Sequence, residues 1–178
     1  PTGKVRAMVK GVRRSKSKLA GGIELFSENT ITFLDTRGEL MRVISTRVEA
    51  IWDGIVGDLQ RMLFAYECMK LLDKHIEDEA EHSYYDLLKE TLSTLADTDT
   101  SLDAIKAWFS VRFLLLEGTQ VNTDTDTAGV KLQVDQQYTF DPDAMAFQQS
   151  RSGVYRADHI KLLRLMASQP ASVLKQVK

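Results

Sequence analysis

Along residues 4–12, Lys-Val-Arg-Ala-Met-Val-Lys-Gly-Val, polar and apolar positions roughly alternate, which is the period of a strand with one face in water. Thr30-Ile-Thr-Phe-Leu34 is rich in β-branched and aromatic residues and predicts a second strand; Leu40-Met-Arg-Val-Ile-Ser-Thr46 predicts a third. Asp35-Thr-Arg-Gly38 between them is a turn signal, so strands two and three are expected to pair as a hairpin. Near Asp53 the period changes from 2 to 3.6. Ile55, Leu59, Met62, Leu63, Tyr66, Met69, Leu72 and Ile76 predict a long helix, apolar on nearly every side and therefore expected to be central and buried. Tyr84, Leu88, Leu92 and Leu95 mark a second helix.

Thr100-Ser-Leu-Asp103 has the layout of a capping box, in which a hydroxyl and a carboxylate each satisfy an orphan amide. It opens a third helix that runs to Glu117 and stops at Gly118. Residues 119–128 are expected to form a polar loop. Tyr138-Thr-Phe140 and Met145-Ala-Phe147 flank Asp141-Pro-Asp143 and predict a small hairpin. Asp158 is expected to cap a fourth helix over residues 160–167, ended by Pro170, and residues 172–177 to add a last helical turn or two.

Composition narrows the class. With 178 residues, 43% hydrophobic and 27% charged, the chain has material for a substantial core and does not read as disordered. No apolar run approaches the roughly 20 residues of a membrane helix, and no N-terminal segment has the layout of a signal peptide. The single cysteine, Cys68, excludes an intramolecular disulfide and a cysteine-built zinc site. A cytoplasmic location is the expectation. The chain opens on Pro1 and not on Met, which suggests a processed, trimmed or partial protein.

Charge changes the picture most. The first 18 residues carry seven positive charges and no negative one, although the whole chain has a net charge of −2. Residues 53–103 hold thirteen acids against four bases, a segment that would repel a phosphate backbone. The sequence thus divides near residue 52 into regions 1–52 and 53–178. The basic, Gly- and Ser-punctuated stretch suits phosphate contact by Lys10, Arg13, Arg14, Lys16 and Lys18, with Ser15 and Ser17 adding hydrogen bonds. It has no aromatic residue to stack on bases, so it predicts grip without sequence readout.

Other constellations are weaker. Asp124-Thr-Asp-Thr-Ala-Gly129 has the opening spacing of a calcium loop, but Ala128 and Asp135 stand where further ligands are needed, so a solvated loop is favoured. His75, His82 and His159 lack partners at ligand spacing and read as surface residues. No nucleophile context, Walker-type loop or dinucleotide fingerprint is present, so nothing argues for an enzyme or a cofactor. In the third helix Arg112 falls on an apolar face with Ile105, Phe109 and Leu116, beside Trp108. It must reach water, pair with an internal acid, or grip a partner's carboxylate.

The run Val5-Arg-Ala-Met-Val-Lys-Gly-Val-Arg-Arg-Ser-Lys-Ser-Lys-Leu-Ala-Gly-Gly-Ile-Glu-Leu-Phe-Ser27 resembles the signature of the bacterial recombination mediators of the RecO family. Trp108-Phe-Ser-Val-Arg-Phe-Leu-Leu-Leu-Glu-Gly118 resembles a family helix, and Tyr138-Thr-Phe-Asp-Pro-Asp143 its hairpin. The resemblance implies an α+β protein: a partial N-terminal OB-fold-like β-barrel (residues 1–52) followed by a helical domain (53–178) with a small hairpin. It implies a non-enzymatic mediator of recombinational repair that binds single- and double-stranded DNA and anneals complementary strands. Its partners would be RecR, RecF, RecA and the acidic tail of the single-stranded-DNA-binding protein, in the cytoplasm at the nucleoid. By position, Arg13, Arg14, Lys16 and Lys18 would touch DNA, while Arg112 with Phe109 and Phe113 would dock the tail.

Three departures stand out. Ser15 replaces the usual proline. The stretch 122–152, where many relatives carry a four-cysteine zinc site, has no cysteine. An OB-fold has five strands, and this chain predicts about three before its first long helix, so the chain is expected to be a fragment or its barrel incomplete. The rival from another class is a helical protein-interaction adaptor that binds no DNA.

Overall fold

The computed structural model describes residues 5–9, 23–34, 40–76 and 82–176, and the chain divides into two units, residues 1–99 and 100–178. The change of period at residue 53 falls inside the first unit, so two helices belong with the N-terminal strands.

In the first unit, β1 (Ala7–Met8), β2 (Ser27–Leu34) and β3 (Met41–Ile51) form one sheet in the order β1-β3-β2. β2 and β3 pair antiparallel from Ser27↔Ile51 to Leu34↔Arg42, as the turn signal implied; the turn itself lies outside the described residues. β1 adds parallel to β3 through Ala7↔Met41 and Met8↔Arg42; of the strand expected over residues 4–12, residues 5–9 are described and only Ala7–Met8 are strand. Register shifts between Glu28 and Asn29 and between Thr32 and Phe33 each leave one extra residue on β3, a device that bends and twists a sheet. Among the described residues this is an open sheet with two edges and not a closed barrel. The α+β class holds.

A single 3-10 turn at Asp53–Ile55 precedes α1 (Leu59–His75). The helix starts later than its periodicity suggests because the Asp58 carboxylate accepts from the Gln60 and Arg61 amides (2.8 and 3.2 Å) and caps it. The helix is not buried all round. Phe64, Ala65, Cys68 and Leu72 face inward, whereas Leu59, Leu63 and Tyr66, expected in the core, are exposed. α2 (His82–Leu95) buries Leu87, Thr91, Leu92 and Leu95.

Arg61 is itself buried. Its Nη1 donates to the carbonyls of Leu95 and Asp97 (3.0 and 3.1 Å) and its Nη2 to that of Thr98 (3.1 Å). One side chain of α1 thus satisfies carbonyls that α2 leaves open at its end. Gly54 fits against the same turn, where an added Cβ would lie 2.2 Å from the Ala96 carbonyl oxygen.

The second unit starts with α3 (Leu102–Leu116), which buries Ile105, Trp108, Phe109 and Phe113. Its cap is Ser101, accepting from the Ala104 amide at 3.4 Å, one residue past the expected Thr100. Gly118 ends it at φ 74°, a conformation that favours glycine. The expected polar loop contains a strand, β4 (Asn122–Asp126), which pairs parallel with β6 (Ala146–Gln149). β5 (Tyr138–Asp141) and β6 make the predicted hairpin, from Tyr138↔Gln149 to Asp141↔Ala146, and the sheet order is β4-β6-β5.

α4 (Ala157–Ser168) begins three residues earlier than predicted. Its first turn is closed by the Arg156 amide donating to His159 Nδ1 (3.1 Å), and Asp158 lies inside that turn instead of capping it. A 3-10 segment, Ala171–Gln176, buries Ala171 and Leu174. The small sheet has its own core. Phe147 is fully buried, with Tyr138, Phe140 and Tyr155 edge-on to it at 6.5, 5.5 and 5.6 Å, and Ile160 of α4 closes the cluster.

Candidate nucleic-acid interface

Lys10, Arg13, Arg14, Lys16 and Lys18 all lie outside the described residues, but the ends of their stretch are placed. The chain leaves from β1 at one edge of the sheet and re-enters through Ile23 to β2 at the other, with β3 between them. β1 ends beside Arg42 at the start of β3 and β2 begins beside Ile51 at its end, so the two attachment points lie nine residues, about 30 Å, apart along β3 as well as two strands apart across the sheet.

Three further arginines belong to this sheet. Arg6 precedes β1 and its carbonyl accepts from the Met41 amide (3.0 Å), Arg42 pairs with Met8, and Arg47 lies on β3; all three are exposed. Arg47 is held by Glu49 at 2.8 Å, so Arg6 and Arg42 are the sheet's added candidates for phosphate contact. Arg6 belongs to the seven positive charges of the first 18 residues, and Arg42 reads from the sequence only as part of a strand. Their signal was a base recurring in an otherwise alternating pattern.

One acid of β2 is paired. Tyr85 and Lys89 of α2 both donate to Glu28 Oε1 at 2.7 Å. The Lys89 hydrogen bond, helped by Tyr85, holds the Glu28 carboxyl below the usual carboxylate range. Burial, reinforced by the bond to Glu28, pushes the Tyr85 phenol up to about 12.

The residues proposed to dock a peptide sit in the second unit. Phe109 and Phe113 are buried and stack on each other at 6.0 Å. Arg112 is half-buried, lies 5.9 Å over the Trp108 ring, and donates from Nη1 to the Ala167 carbonyl at 2.7 Å. Trp108 Nε1 donates to the Gln169 carbonyl at 3.0 Å. Two side chains of α3 therefore hold the carbonyl end of α4, where a cation also suits the helix dipole. This destination for Arg112 was not among the three weighed from the sequence. A groove beside α3 is lined by Val111, Leu114, Leu115, Val121, Leu163 and Ala167, whose carbonyl accepts from Arg112, with Arg164 at its rim; Arg164 donates to the Thr123 carbonyl and lies 3.4 Å from Asp124.

Metal and nucleophilic chemistry find little support. Among the described residues no group of three or more His, Cys, Asp or Glu side chains could hold a metal ion. Over the cysteine-free stretch 122–152, side-chain oxygens close turns: Asn122 Oδ1 accepts from the Asp124 and Thr125 amides, and Asp126 Oδ1 from those of Ala128 and Val130. His75 and His82 are exposed, as expected. Cys68 is buried, and burial pushes its thiol up to about 12, far from a reactive thiolate. No helix among the described residues is long and apolar enough to cross a membrane.

No family model matches the sequence. Curated relatives do. The chain is 26% identical over 117 residues to the DNA repair protein RecO of Alkaliphilus metalliredigens, covering 65% of this chain and 47% of that protein. It is 33% identical over 104 residues to the DNA repair protein RecO of a Roseiflexus species (58% and 34%). It is 32% identical over 124 residues to that of Streptomyces griseus (65% and 50%). The chain spans about half the length, or less, of these relatives. Its sequence is RecO-like.

Proposed function

We propose that this RecO-like chain works in DNA repair and recombination as a non-enzymatic DNA-binding mediator. It would bind single- and double-stranded DNA through Lys10, Arg13, Arg14, Lys16 and Lys18, with Arg6 and Arg42 extending the same surface. The observation that carries this is the similarity to several proteins named DNA repair protein RecO. The run of seven positive charges without an acid supplies a physical means.

The finer steps belong to the same proposal: annealing of complementary strands, and help in loading RecA on DNA coated by single-stranded-DNA-binding protein, with RecR and RecF, at the nucleoid in the cytoplasm. The three N-terminal strands would then be part of an OB-type barrel. A strand-annealing assay tests the site. The parent should anneal complementary oligonucleotides faster than the uncatalysed pair, and Arg13→Glu/Arg14→Glu should lose most of that gain. Equal annealing by the variant would remove the basic stretch from the mechanism.

Peptide docking at Phe109, Arg112 and Phe113 is a second component. What favours it is that Arg112, which donates from Nη1 to the Ala167 carbonyl and lies over the Trp108 ring, remains half-exposed. A labelled acidic peptide ending in apolar residues should bind more weakly to Arg112→Ala. Unchanged affinity would exclude Arg112.

A further inference from the structure

On β2, Thr30, Thr32 and Leu34 alternate to one side of the first sheet, and their partners across the ladder on β3 are Arg47, Ser45 and Arg42. Arg42 and Ser45 are three residues apart and share that face only because the register shift between Thr32 and Phe33 puts one extra residue, Ile44, into β3. All six of these residues are exposed. The face therefore carries two guanidinium groups and three hydroxyls, with the arginines about 14 Å apart along the strand. These are the groups that bond phosphate oxygens.

Glu28 and Glu49 border this face, and both are bonded. Glu28 accepts from Tyr85 and Lys89 of α2. Glu49 is engaged by the sheet itself: its Oε1 accepts from Thr30 Oγ1 at 2.7 Å and from Arg47 Nε at 2.8 Å, and Arg47 Nη2 lies 2.8 Å from the same oxygen. The Thr30 hydroxyl, with Arg47, holds the Glu49 carboxyl below the usual carboxylate range, so the pair is charged at neutral pH. Yet the Arg47 side chain is 76% exposed and that of Glu49 37%. An ion pair this open is weak and screened by salt, and a polyanion can compete for its cation. One carboxylate thus occupies a guanidinium edge and a hydroxyl that would otherwise meet a phosphate.

We propose that, in a chain that binds DNA as read above, Glu49 is a built-in competitor for phosphate. It withholds Arg47 and Thr30 from the nucleic acid while Arg42 and Ser45 of the same face engage it. Affinity is thereby held below what the face could reach, which keeps the complex dissociable.

A double-mutant cycle tests this, read as fluorescence anisotropy of a labelled single-stranded oligonucleotide across a salt series. Glu49→Gln keeps an acceptor for Thr30 and should melt at the parent's temperature, since the pair lies at the surface. It should bind roughly fivefold tighter than the parent and steepen the fall of log affinity with log salt by about 0.7, the value of one more phosphate contact. Arg47→Ala should cost little in the parent and cancel the whole gain in the Glu49→Gln background. An equal cost in both backgrounds would overturn the proposal, because the gain would then be one of net charge alone. So would Glu49→Gln binding no tighter than the parent; if Arg13→Glu/Arg14→Glu loses binding in the same series, that result leaves the DNA reading standing. No binding at low salt by parent and Glu49→Gln alike would overturn both.

Discussion

Among the described residues the two sheets have three strands each and opposite surroundings. β3 runs for eleven residues and only Val43 in it is buried; Ile44, Val48 and Ile51 face water, as do Ile31 and Leu34 on β2. β6 has four residues and buries two of them, Ala146 and Phe147, under a ring of aromatics and α4. Length and β propensity favour the first sheet, yet covering favours the second. A sheet's stability comes from what lies on it, and a short strand under a packed aromatic cluster is better held than a long one left open.

Substitutions can break that contrast. The largest effect is expected at Phe147→Ala, which empties the second unit's core and should cost about 3–5 kcal/mol in urea unfolding. Hydrogen exchange should show the loss over β4–β6 and α4, with α1 protected as before. Next, Arg61→Ala should cost about 3 kcal/mol, because it leaves carbonyls at the end of α2 without their donor. That loss belongs to the first unit, whose stability on this account resides in its helices and not in its sheet.

By comparison, Ile44→Thr on the open strand should change stability by less than about 0.5 kcal/mol, within the usual range for surface substitutions. A loss comparable to Phe147→Ala would mean that β3 is covered after all.

The smallest effect concerns pH. The Glu28 carboxyl is depressed in the folded chain by Lys89 and Tyr85. Its contribution is therefore present above the unfolded carboxylate value and is lost as pH falls through the lower, folded value. A Glu28→Gln variant should show a shallower acid destabilisation below about pH 4.5 than the parent, measured by melting temperature across pH. Equal acid sensitivity would show that the β2–α2 tie contributes nothing.

Much of this architecture was legible in the sequence, and the gaps have physical causes. Four helices and the 138–149 hairpin follow from periodicity and turn chemistry. β4 was hidden because Asn-Thr-Asp-Thr-Asp is polar throughout, and its pairing to β6 is a long-range contact that local pattern cannot express. The caps slipped by a residue or two because Thr100 and Ser101 are both competent, and because His159 closes a turn where Asp158 is the commoner choice. The exposure of Leu59 and Leu63 was misjudged because an apolar stripe reads the same whether it meets a core or open solvent.

The candidate site was legible in its chemistry and less so in its setting. Seven bases without an acid are visible in any numbering of the first 18 residues, whereas the approach of Arg6 and Arg42 needs the β1–β3 pairing. Arg112 was conspicuous by type, but its bond to Ala167 depends on how α3 and α4 pack.

The most direct test of the account is the salt dependence of DNA binding, read as fluorescence anisotropy of a labelled single-stranded oligonucleotide. The parent is expected to show a steep fall of log affinity with log salt, about 0.7 per phosphate contacted, and Arg13→Glu/Arg14→Glu to flatten that slope by about 1.4. No binding at low salt, or the same slope in parent and variant, would contradict the proposal that the basic stretch is the DNA-binding surface.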